Sequence, residues 1–312
     1  MHIVILDEKT LGEDLDLSPL SNFGKVTHYQ TTSTDETLDR IKNANIIITN
    51  KVVITAQMME EAPLLKLICI AATGMNNVDL EAAKTLGIEV KNVAGYSTQS
   101  VVQHTFAMAL YLIEKMAYYD TVVKDGTWSR SSLFTDVSQP FYEIAGKKWG
   151  IIGLGSIGRE VAKVATAFGA EVCYYSTSGR NHSQPYSRVK LEELLESCDI
   201  ISIHAPLNEK TENLISASNL GLVKEGALLL NLGRGSIVNE SDLAAELDRR
   251  ELYAGLDVLT PEPIAEDNPL MHIRHKERLL ITPHIAWASI EARQKLLAGI
   301  VENIEHYLKG EK

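Results

Sequence analysis

Short apolar segments alternate with segments of helical periodicity along the chain, and this alternation restricts the possible folds more than any other feature. Each apolar segment is short and rich in Ile and Val, as is typical of strands whose two sheet faces are covered by helices. A β-α-β series of this kind predicts a parallel, doubly wound α/β sheet. The strands predicted in the first series are residues 2–7, 25–29, 45–49, 67–71 and 88–91.

A second series of the same kind begins near residue 148, between two long helical patterns at about 98–124 and 287–308. A chain of 312 residues also exceeds the ~250–300 residues at which a single core stops growing. Because the chain leaves the first series by one long helix and returns by the other, we predict that the first domain is discontinuous. The predicted domains are residues 1–98 with 286–312, and residues 99–285.

The composition excludes several classes of function. The chain has 41 Asp and Glu against 30 Lys and Arg, a net charge of −11, and such a field repels phosphate backbones and anionic lipid surfaces. Its longest apolar runs are far shorter than the roughly 18–20 residues of a membrane span. The first residues form a predicted strand and lack the basic region of a signal peptide. We therefore expect no nucleic-acid partner, no membrane partner and no secretion signal.

The cysteines and histidines indicate neither a disulfide framework nor a metal site. Cys69, Cys173 and Cys198 are odd in number, far apart in sequence and in apolar surroundings, which fits a protein of the reducing cytoplasm. His272 and His275 have an H-x-x-H spacing, but they lie in a charged segment without further ligands. No bound metal is expected there.

A glycine-rich turn follows the first strand of the second series. Gly153, Gly155 and Gly158 form a G-x-G-x-x-G motif, which also contains Ser156 and Ile157, between a predicted strand and a predicted helix. In this context the first glycine allows a tight turn, the second lets a pyrophosphate approach the backbone, and the third lets the helix pack on the strand. The amino end of that helix then binds the phosphates. The motif predicts a dinucleotide site.

The acidic residue that normally accepts the ribose hydroxyls of NAD is missing. It is expected about 20 residues after the glycine turn, at the end of the next strand. Ser176 occupies that position, and Arg180 follows after a short turn. Both NAD and NADP therefore remain possible cofactors.

Three residues whose side chains can bind or transfer protons or bind anions follow strands of the second series. Arg234 lies within N-L-G-R-G, Glu262 lies between two prolines, and His284 lies within T-P-H-I-A-W. In open α/β sheets the carboxyl ends of the strands bind ligands. Each residue also has a structural interpretation: a surface charge, a solvated loop carboxylate and a core histidine, respectively. Their occurrence together favours a catalytic set.

Together these motifs resemble the family of D-isomer-specific 2-hydroxyacid dehydrogenases, and the resemblance covers nearly the whole chain. It rests on 153–158, 231–235, 257–263, Pro283-His284 with Trp287, and the segment 72–79. Within the family, the segments 49–51, 72–74 and 284–287 are similar to the glycerate dehydrogenase and hydroxypyruvate (glyoxylate) reductase branch. The resemblance implies a Rossmann-type nucleotide-binding domain inserted into a flavodoxin-like substrate domain.

The resemblance also implies roles for individual residues. His284 would exchange a proton at the C2 oxygen of the substrate, Glu262 would bind the other ring nitrogen, and Arg234 would bind the 2-oxo acid. Asp257 would accept a hydrogen bond from the nicotinamide carboxamide, and its alternative role is to cap a loop. The substrate carboxylate would be bound by backbone N–H groups of Thr73, Gly74 and Met75 and by Lys51, which is otherwise an ordinary solvated lysine.

The leading hypothesis is an NAD- or NADP-dependent oxidoreductase that interconverts glyoxylate or hydroxypyruvate with glycolate or D-glycerate. The alternatives are a D-3-phosphoglycerate or D-lactate dehydrogenase of the same family, or a non-catalytic protein that senses NAD(H). A pure sensor has no need of Arg234, Glu262 and His284 together. The resemblance further implies a cytoplasmic homodimer, and the polar segment 126–139 is either a dimer contact or a surface loop.

Overall fold

The computed structural model describes residues 1–180 and 185–310, which form two compact units. Unit 1 comprises Met1–Ser97 and Ala288–Lys312, and unit 2 comprises Thr98–Trp287. In the described part of the chain no helix is long and apolar enough to cross a membrane.

Unit 1 begins with a parallel five-stranded sheet. Its strands lie in the order β2-β1-β3-β4-β5, which is the flavodoxin-like order, and the direction of winding changes between β1 and β3. The strands are β1 (His2–Ile5), β2 (Lys25–His28), β3 (Ile46–Thr49), β4 (Leu67–Ile70) and β5 (Glu89–Asn92), and the helices are α1 (Thr34–Ile41), α2 (Ala56–Glu60) and α3 (Leu80–Thr85).

Unit 2 contains a parallel seven-stranded sheet. Its helices are α4 (Thr98–Ile113), α5 (Met116–Lys124), α6 (Ser156–Ala167), α7 (Leu191–Ser197), α8 (Ala217–Leu220) and α9 (Glu240–Arg249). Its strands are β6 (Lys148–Ile152), β7 (Glu171–Tyr175), β8 (Ser187–Arg188), β9 (Ile200–Ile203), β10 (Leu228–Asn231), β11 (Tyr253–Leu256) and β12 (Leu279–Ile281). The chain then returns to unit 1 with α10 (Ile290–Lys309).

The strand order of unit 2 is β12-β11-β10-β9-β6-β7-β8. The winding direction therefore changes between β6 and β9, as in a Rossmann-type sheet that has gained one further edge strand. Residues 228–231 of β10 are buried on both faces, because apolar clusters cover the two sides of the sheet. The prediction of two doubly wound parallel sheets is confirmed.

The helical pattern predicted as one long helix at 98–124 is two helices. Lys115, which separates α4 from α5, has a left-handed backbone conformation with φ 53°. Its ammonium lies 3.5 Å from the ring centroid of Tyr253, a cation–π contact that holds this residue at the break. The segment 126–139, predicted to be exposed, does expose Phe134 and Val137, at 91% and 80%.

Two of the three cysteines meet in unit 2. The sulfur atoms of Cys173 and Cys198 lie 3.5 Å apart, and both residues are thiols. Gly150 makes room for this contact, because a Cβ atom on it would lie 2.8 Å from the Cys198 sulfur. The sequence did not predict this contact, which joins β7 to the residue directly after α7.

Candidate active site

In the glycine turn at the end of β6, neighbouring parts of the chain come close to Gly153 and Gly158. Gly153 has φ +94°, and a Cβ on it would lie 2.9 Å from backbone atoms of His204 and Ala205. A Cβ on Gly158 would lie 2.2 Å from the carbonyl oxygen of Gly153, so this glycine lets α6 pack against the turn. By contrast, a Cβ on Gly155 would meet no described atom within 4 Å. The space beside Gly155 therefore fits a ligand rather than another part of the chain.

The amino end of α6 faces that space. Gly155 and Ser156 are exposed, and Ile157 is half-buried. The first N–H groups of a helix have no partner within it, and they carry its positive dipole end. An open glycine followed by such a helix fits the diphosphate of a dinucleotide.

Ser176 lies beside this turn, directly after β7, and Arg180 follows four residues later. The Gly153 N–H donates to the carbonyl oxygen of Tyr175 at 3.0 Å, which places Ser176 directly next to the turn. Ser176 is 5% exposed, and its hydroxyl oxygen is shielded and has no hydrogen-bond partner among the described residues. Arg180 is exposed. Ser176 therefore brings no negative charge to the end of β7.

Glu262 and His284 form a hydrogen-bonded pair. The Nδ1 atom of His284 lies 2.7 Å from Oε2 of Glu262, with 24% and 33% of the side chains exposed. Oε1 of Glu262 accepts the N–H of Leu259 at 3.1 Å. Because an ionised carboxylate only accepts hydrogen bonds, Glu262 holds the proton of His284 on Nδ1. The Nε2 atom is then the ring position that is left for a substrate.

Asp257 holds the loop that carries His284. Its Oδ1 accepts the Thr282 hydroxyl at 2.6 Å and the N–H of Ile285 at 2.9 Å, and its Oδ2 accepts the N–H of Ala286 at 2.9 Å. His284 itself has φ +54°. These contacts are those of the loop-capping alternative, and the role of carboxamide acceptor stays a prediction.

A histidine of α4 extends this network. The Nε2 atom of His104 lies 3.1 Å from the Thr282 hydroxyl and 3.5 Å from Oδ1 of Asp257. The sequence analysis did not identify this role, since His104 and Thr282 are far apart in the chain.

Arg234 follows β10 in an extended conformation and is exposed. Its guanidinium donates to the carbonyl oxygen of Gly233 at 2.8 Å. The next residue, Gly235, packs against the loop that carries Glu262, because a Cβ on Gly235 would lie 2.2 Å from the carbonyl carbon of Leu259. Since β10, β11 and β12 are neighbours, Arg234 and the Glu262–His284 pair lie at one edge of the sheet.

The remaining predicted residues lie in unit 1, after two neighbouring strands. Lys51 follows β3, and its N–H donates to Oδ2 of Asp7 at 2.7 Å. Thr73, Gly74 and Met75 follow β4, and the carbonyl oxygen of Thr73 accepts the side-chain amide of Asn92 at 2.6 Å. Asp7 was not predicted from the sequence, because its partners are backbone N–H groups of a distant turn.

Two further features of unit 2 lie outside this set. Burial lowers the pKa of His204, which directly follows β9, to about 3. A cavity of about 330 Å³, lined by residues such as Lys147, Asp199 and Tyr253 at the beginnings of strands, lies at the opposite edge of the sheet. Among the described residues, no group of three or more His, Cys, Asp or Glu could hold a metal ion. His272 instead bonds the carbonyl oxygen of Glu266 at 2.9 Å.

Comparison with known sequences gives one family. The family described as "D-isomer specific 2-hydroxyacid dehydrogenase, NAD binding domain" matches residues 106–286. A hydroxypyruvate reductase of Blautia hydrogenotrophica is 37% identical, with 99% of this chain and 98% of that protein covered. A glycerate dehydrogenase of Methylorubrum extorquens is 35% identical, with 99% and 96% covered.

Solved structures agree with this result. An acyclic imino acid reductase in complex with NADPH and D-arginine has a TM-score of 0.87 at 30% identity, with 100% of this chain and 98% of that chain covered. A D-lactate dehydrogenase from Aquifex aeolicus, complexed with NAD and lactic acid, has a TM-score of 0.85 at 26% identity, with 100% and 96% covered. The similarity therefore extends over both units.

Proposed function

We propose, because the chain belongs to the family of D-isomer-specific 2-hydroxyacid dehydrogenases, that it reduces glyoxylate or hydroxypyruvate to glycolate or D-glycerate. The enzyme transfers hydride between a nicotinamide dinucleotide and C2 of a small 2-hydroxy acid, and the choice of acid is our proposal. Two relatives are named for hydroxypyruvate or glycerate. The single observation that favours catalysis over sensing is the 2.7 Å pair of His284 and Glu262.

The dinucleotide would lie on the turn of Gly153, Gly155 and Gly158, with its diphosphate at the amino end of α6. When bound, it supplies the hydride. We propose that NAD(H) and NADP(H) are both used, because Ser176 brings no negative charge to the ribose site. Arg180 would add a cation near a 2′-phosphate.

His284 would deliver the proton that the C2 oxygen needs during reduction. Its Nδ1 is hydrogen-bonded to Glu262, so the carboxylate fixes the imidazole ring and Nε2 is directed away from Glu262. In the direction of oxidation the same nitrogen would accept the proton of the hydroxyl group. Glu262 thus fixes the ring orientation and the tautomer of His284.

Arg234 would bind the oxo acid through its planar guanidinium. A bidentate contact with the carboxylate or carbonyl oxygens orients C2 and polarises the carbonyl group. We propose that Lys51 and the backbone N–H groups of Thr73, Gly74 and Met75 bind the substrate carboxylate. Asp257 would keep the His284 loop in place and would also accept a hydrogen bond from the nicotinamide carboxamide.

His284→Ala tests this assignment. General acid–base catalysis contributes roughly 10²–10⁴-fold, so we expect kcat, followed as NADH absorbance at 340 nm, to fall by that factor. The Kd for NADH, measured by fluorescence, should remain unchanged because the glycine turn is intact. His272→Ala is the matched control, since it removes an exposed histidine of the same unit. A His284→Ala protein with wild-type kcat would exclude His284 as the proton donor.

For assembly and location we propose a cytoplasmic homodimer. Four side chains of the segment 126–139 expose apolar surface, namely Trp128 at 44%, Leu133 at 67%, Phe134 at 91% and Val137 at 80%. Apolar surface of this kind favours a protein contact. The free thiols of Cys173 and Cys198, 3.5 Å apart, suit a reducing compartment. Sedimentation equilibrium measures the mass directly, and a monomer at micromolar concentration would contradict the dimer.

A further inference from the structure

A buried carboxylate lies at the point in the unit 1 sheet where the winding direction changes. Asp7 comes two residues after β1 and is 6% exposed. The winding changes between β1 and β3, and doubly wound sheets bind ligands at the carboxyl ends of the strands beside such a point. Asp7 is therefore placed where its contacts can shape a ligand site.

The Asp7 carboxylate is surrounded by donors from the turn that follows β3. It accepts the N–H of Asn50 at 2.9 and 3.0 Å and the N–H of Lys51 at 2.7 Å. The Thr49 hydroxyl donates to it at 3.3 Å and in turn accepts the N–H of Val52 at 3.0 Å. One carboxylate thus fixes the turn 49–52 directly or through Thr49.

This arrangement is specific to a carboxylate. Burying a charge is costly unless hydrogen bonds compensate for it, and hydrogen bonds to a charged acceptor are stronger than neutral ones. An apolar residue would leave the N–H groups of Lys51 and of the buried Asn50 without this acceptor. The asparagine side chain has one oxygen and one NH₂ group, so it would accept fewer bonds and present a donor to these donors.

The turn 49–52 is also bonded to the segment that follows β4. The side-chain amide of Asn77 donates to the carbonyl oxygen of Val52 at 3.0 Å, and the N–H of Ile54 donates to the carbonyl oxygen of Asn77 at 2.8 Å. Asn77 lies two residues after Met75. The two segments that carry the proposed substrate-binding residues of unit 1 are therefore one hydrogen-bonded assembly, and Asp7 anchors it.

We propose that Asp7 is a positioning residue for substrate binding: it holds the backbone of Lys51, and through Val52 and Asn77 it holds the segment of Thr73–Met75. Asp7 itself does not touch the substrate. This inference rests on the proposed function, because it gives Lys51 a substrate carboxylate to bind.

Asp7→Asn tests the inference through a split between KM and kcat. The loss of about 1.4 kcal/mol of binding corresponds to a tenfold change, so we expect KM for the oxo acid to rise at least about tenfold. The Kd for NADH should be unchanged, because the glycine turn belongs to unit 2, and kcat at saturation should fall much less than KM rises. Thr49→Val is a second perturbation of the same carboxylate and should raise KM in the same direction.

A double-mutant cycle with Lys51→Met separates positioning from general destabilisation. If Asp7 acts through Lys51, the fold increase in KM of the Asp7→Asn, Lys51→Met protein should be well below the product of the fold increases of the two single variants. Ile41→Val, at a fully buried core position of unit 1, is the stability control and should lower Tm without raising KM. The inference would be overturned if the two fold increases in KM multiplied in the double variant. It would also be overturned if Asp7→Asn and Thr49→Val both had the wild-type KM.

Hydrogen exchange distinguishes this outcome from a failure of the proposed function. The amides of Asn50 and Lys51 should exchange faster in Asp7→Asn without any substrate, and unchanged exchange would overturn the inference on its own. A wild-type protein that reduces no 2-oxo acid would overturn the proposed function and the role of Asp7 in it. An active wild type with an unaltered Asp7→Asn variant would overturn the role of Asp7 alone.

Discussion

His204 makes the stability of unit 2 depend on pH in a way that can be calculated. Part of its surface is exposed, but both ring nitrogens are shielded and have no hydrogen-bond partner among the described residues. Burial disfavours the charged imidazolium, and it lowers the pKa of His204 from 6.5 to about 3. The folded protein therefore keeps this ring neutral at pH values where the unfolded chain protonates it.

The sign and size of the effect follow from proton linkage. Between pH 6.5 and 3 the unfolded chain binds more protons than the folded protein, so stability falls as the pH falls. The contribution of His204 to the free energy of unfolding is nearly complete above pH 6.5. At pH 5 it is lower by about 2 kcal/mol, from a difference of 1.5 pH units at 1.36 kcal/mol each.

The perturbation is His204→Leu, and the measured quantity is the change in unfolding free energy between pH 7 and pH 5. Trp128, Trp149 and Trp287 all lie in unit 2, so tryptophan fluorescence during urea unfolding reports on the unit that contains His204. We expect wild type to lose about 2 kcal/mol more than His204→Leu over this range. The absolute stability of the variant is not the test, because its packing also changes.

His272→Leu is the control, since it removes an exposed histidine of the same unit and should keep the pH dependence of wild type. Parallel stability curves for wild type and His204→Leu would refute the reasoning. They would mean that the His204 ring is solvated or binds a proton in the folded state.

Two further variants test the dinucleotide site and the loop that carries Glu262. Ser176→Asp should raise the ratio of kcat/KM for NAD to that for NADP at least about fivefold, because a carboxylate near a 2′-phosphate costs about 1 kcal/mol; an unchanged ratio would exclude Ser176 as the residue beside the ribose. Gly235→Ala should lower Tm by an amount that corresponds to roughly 1–3 kcal/mol and should lower kcat, since the added Cβ would press on the Leu259 backbone. Gly221→Ala, where a Cβ would meet no described atom within 4 Å, should leave both quantities unchanged.

The architecture of both units was predictable because a buried parallel strand has a simple signature. A segment such as 46–49 is buried on both faces, and the alternation of such segments with helices is typical of a parallel sheet that helices cover on both sides. The glycine turn was predictable for a similar reason: each glycine answers a local steric need, as the close backbone contacts of Gly153 and Gly158 show.

Features that depend on contacts between distant segments were not predictable. Cys173 and Cys198 meet only because Gly150 lies between them on a neighbouring strand. The helix break at Lys115 is a left-handed backbone conformation of one residue. It lies inside a sequence whose helical pattern is continuous. Asp7 was not identified because its donors are backbone N–H groups, which every residue has, so no sequence pattern points from Asp7 to Asn50 and Lys51.

The position of His284 depends on its loop conformation, and this explains why the His284–Glu262 pair needs Asp257. A non-glycine residue in the left-handed region costs of order 1–3 kcal/mol and persists only where the surroundings impose it. Asp257 supplies that constraint, because it accepts the N–H groups of Ile285 and Ala286, the two residues directly after His284. If these bonds were lost, the loop could relax to an ordinary backbone conformation and His284 would turn away from Glu262. The 2.7 Å contact of the pair is therefore a product of the loop as much as of the two side chains.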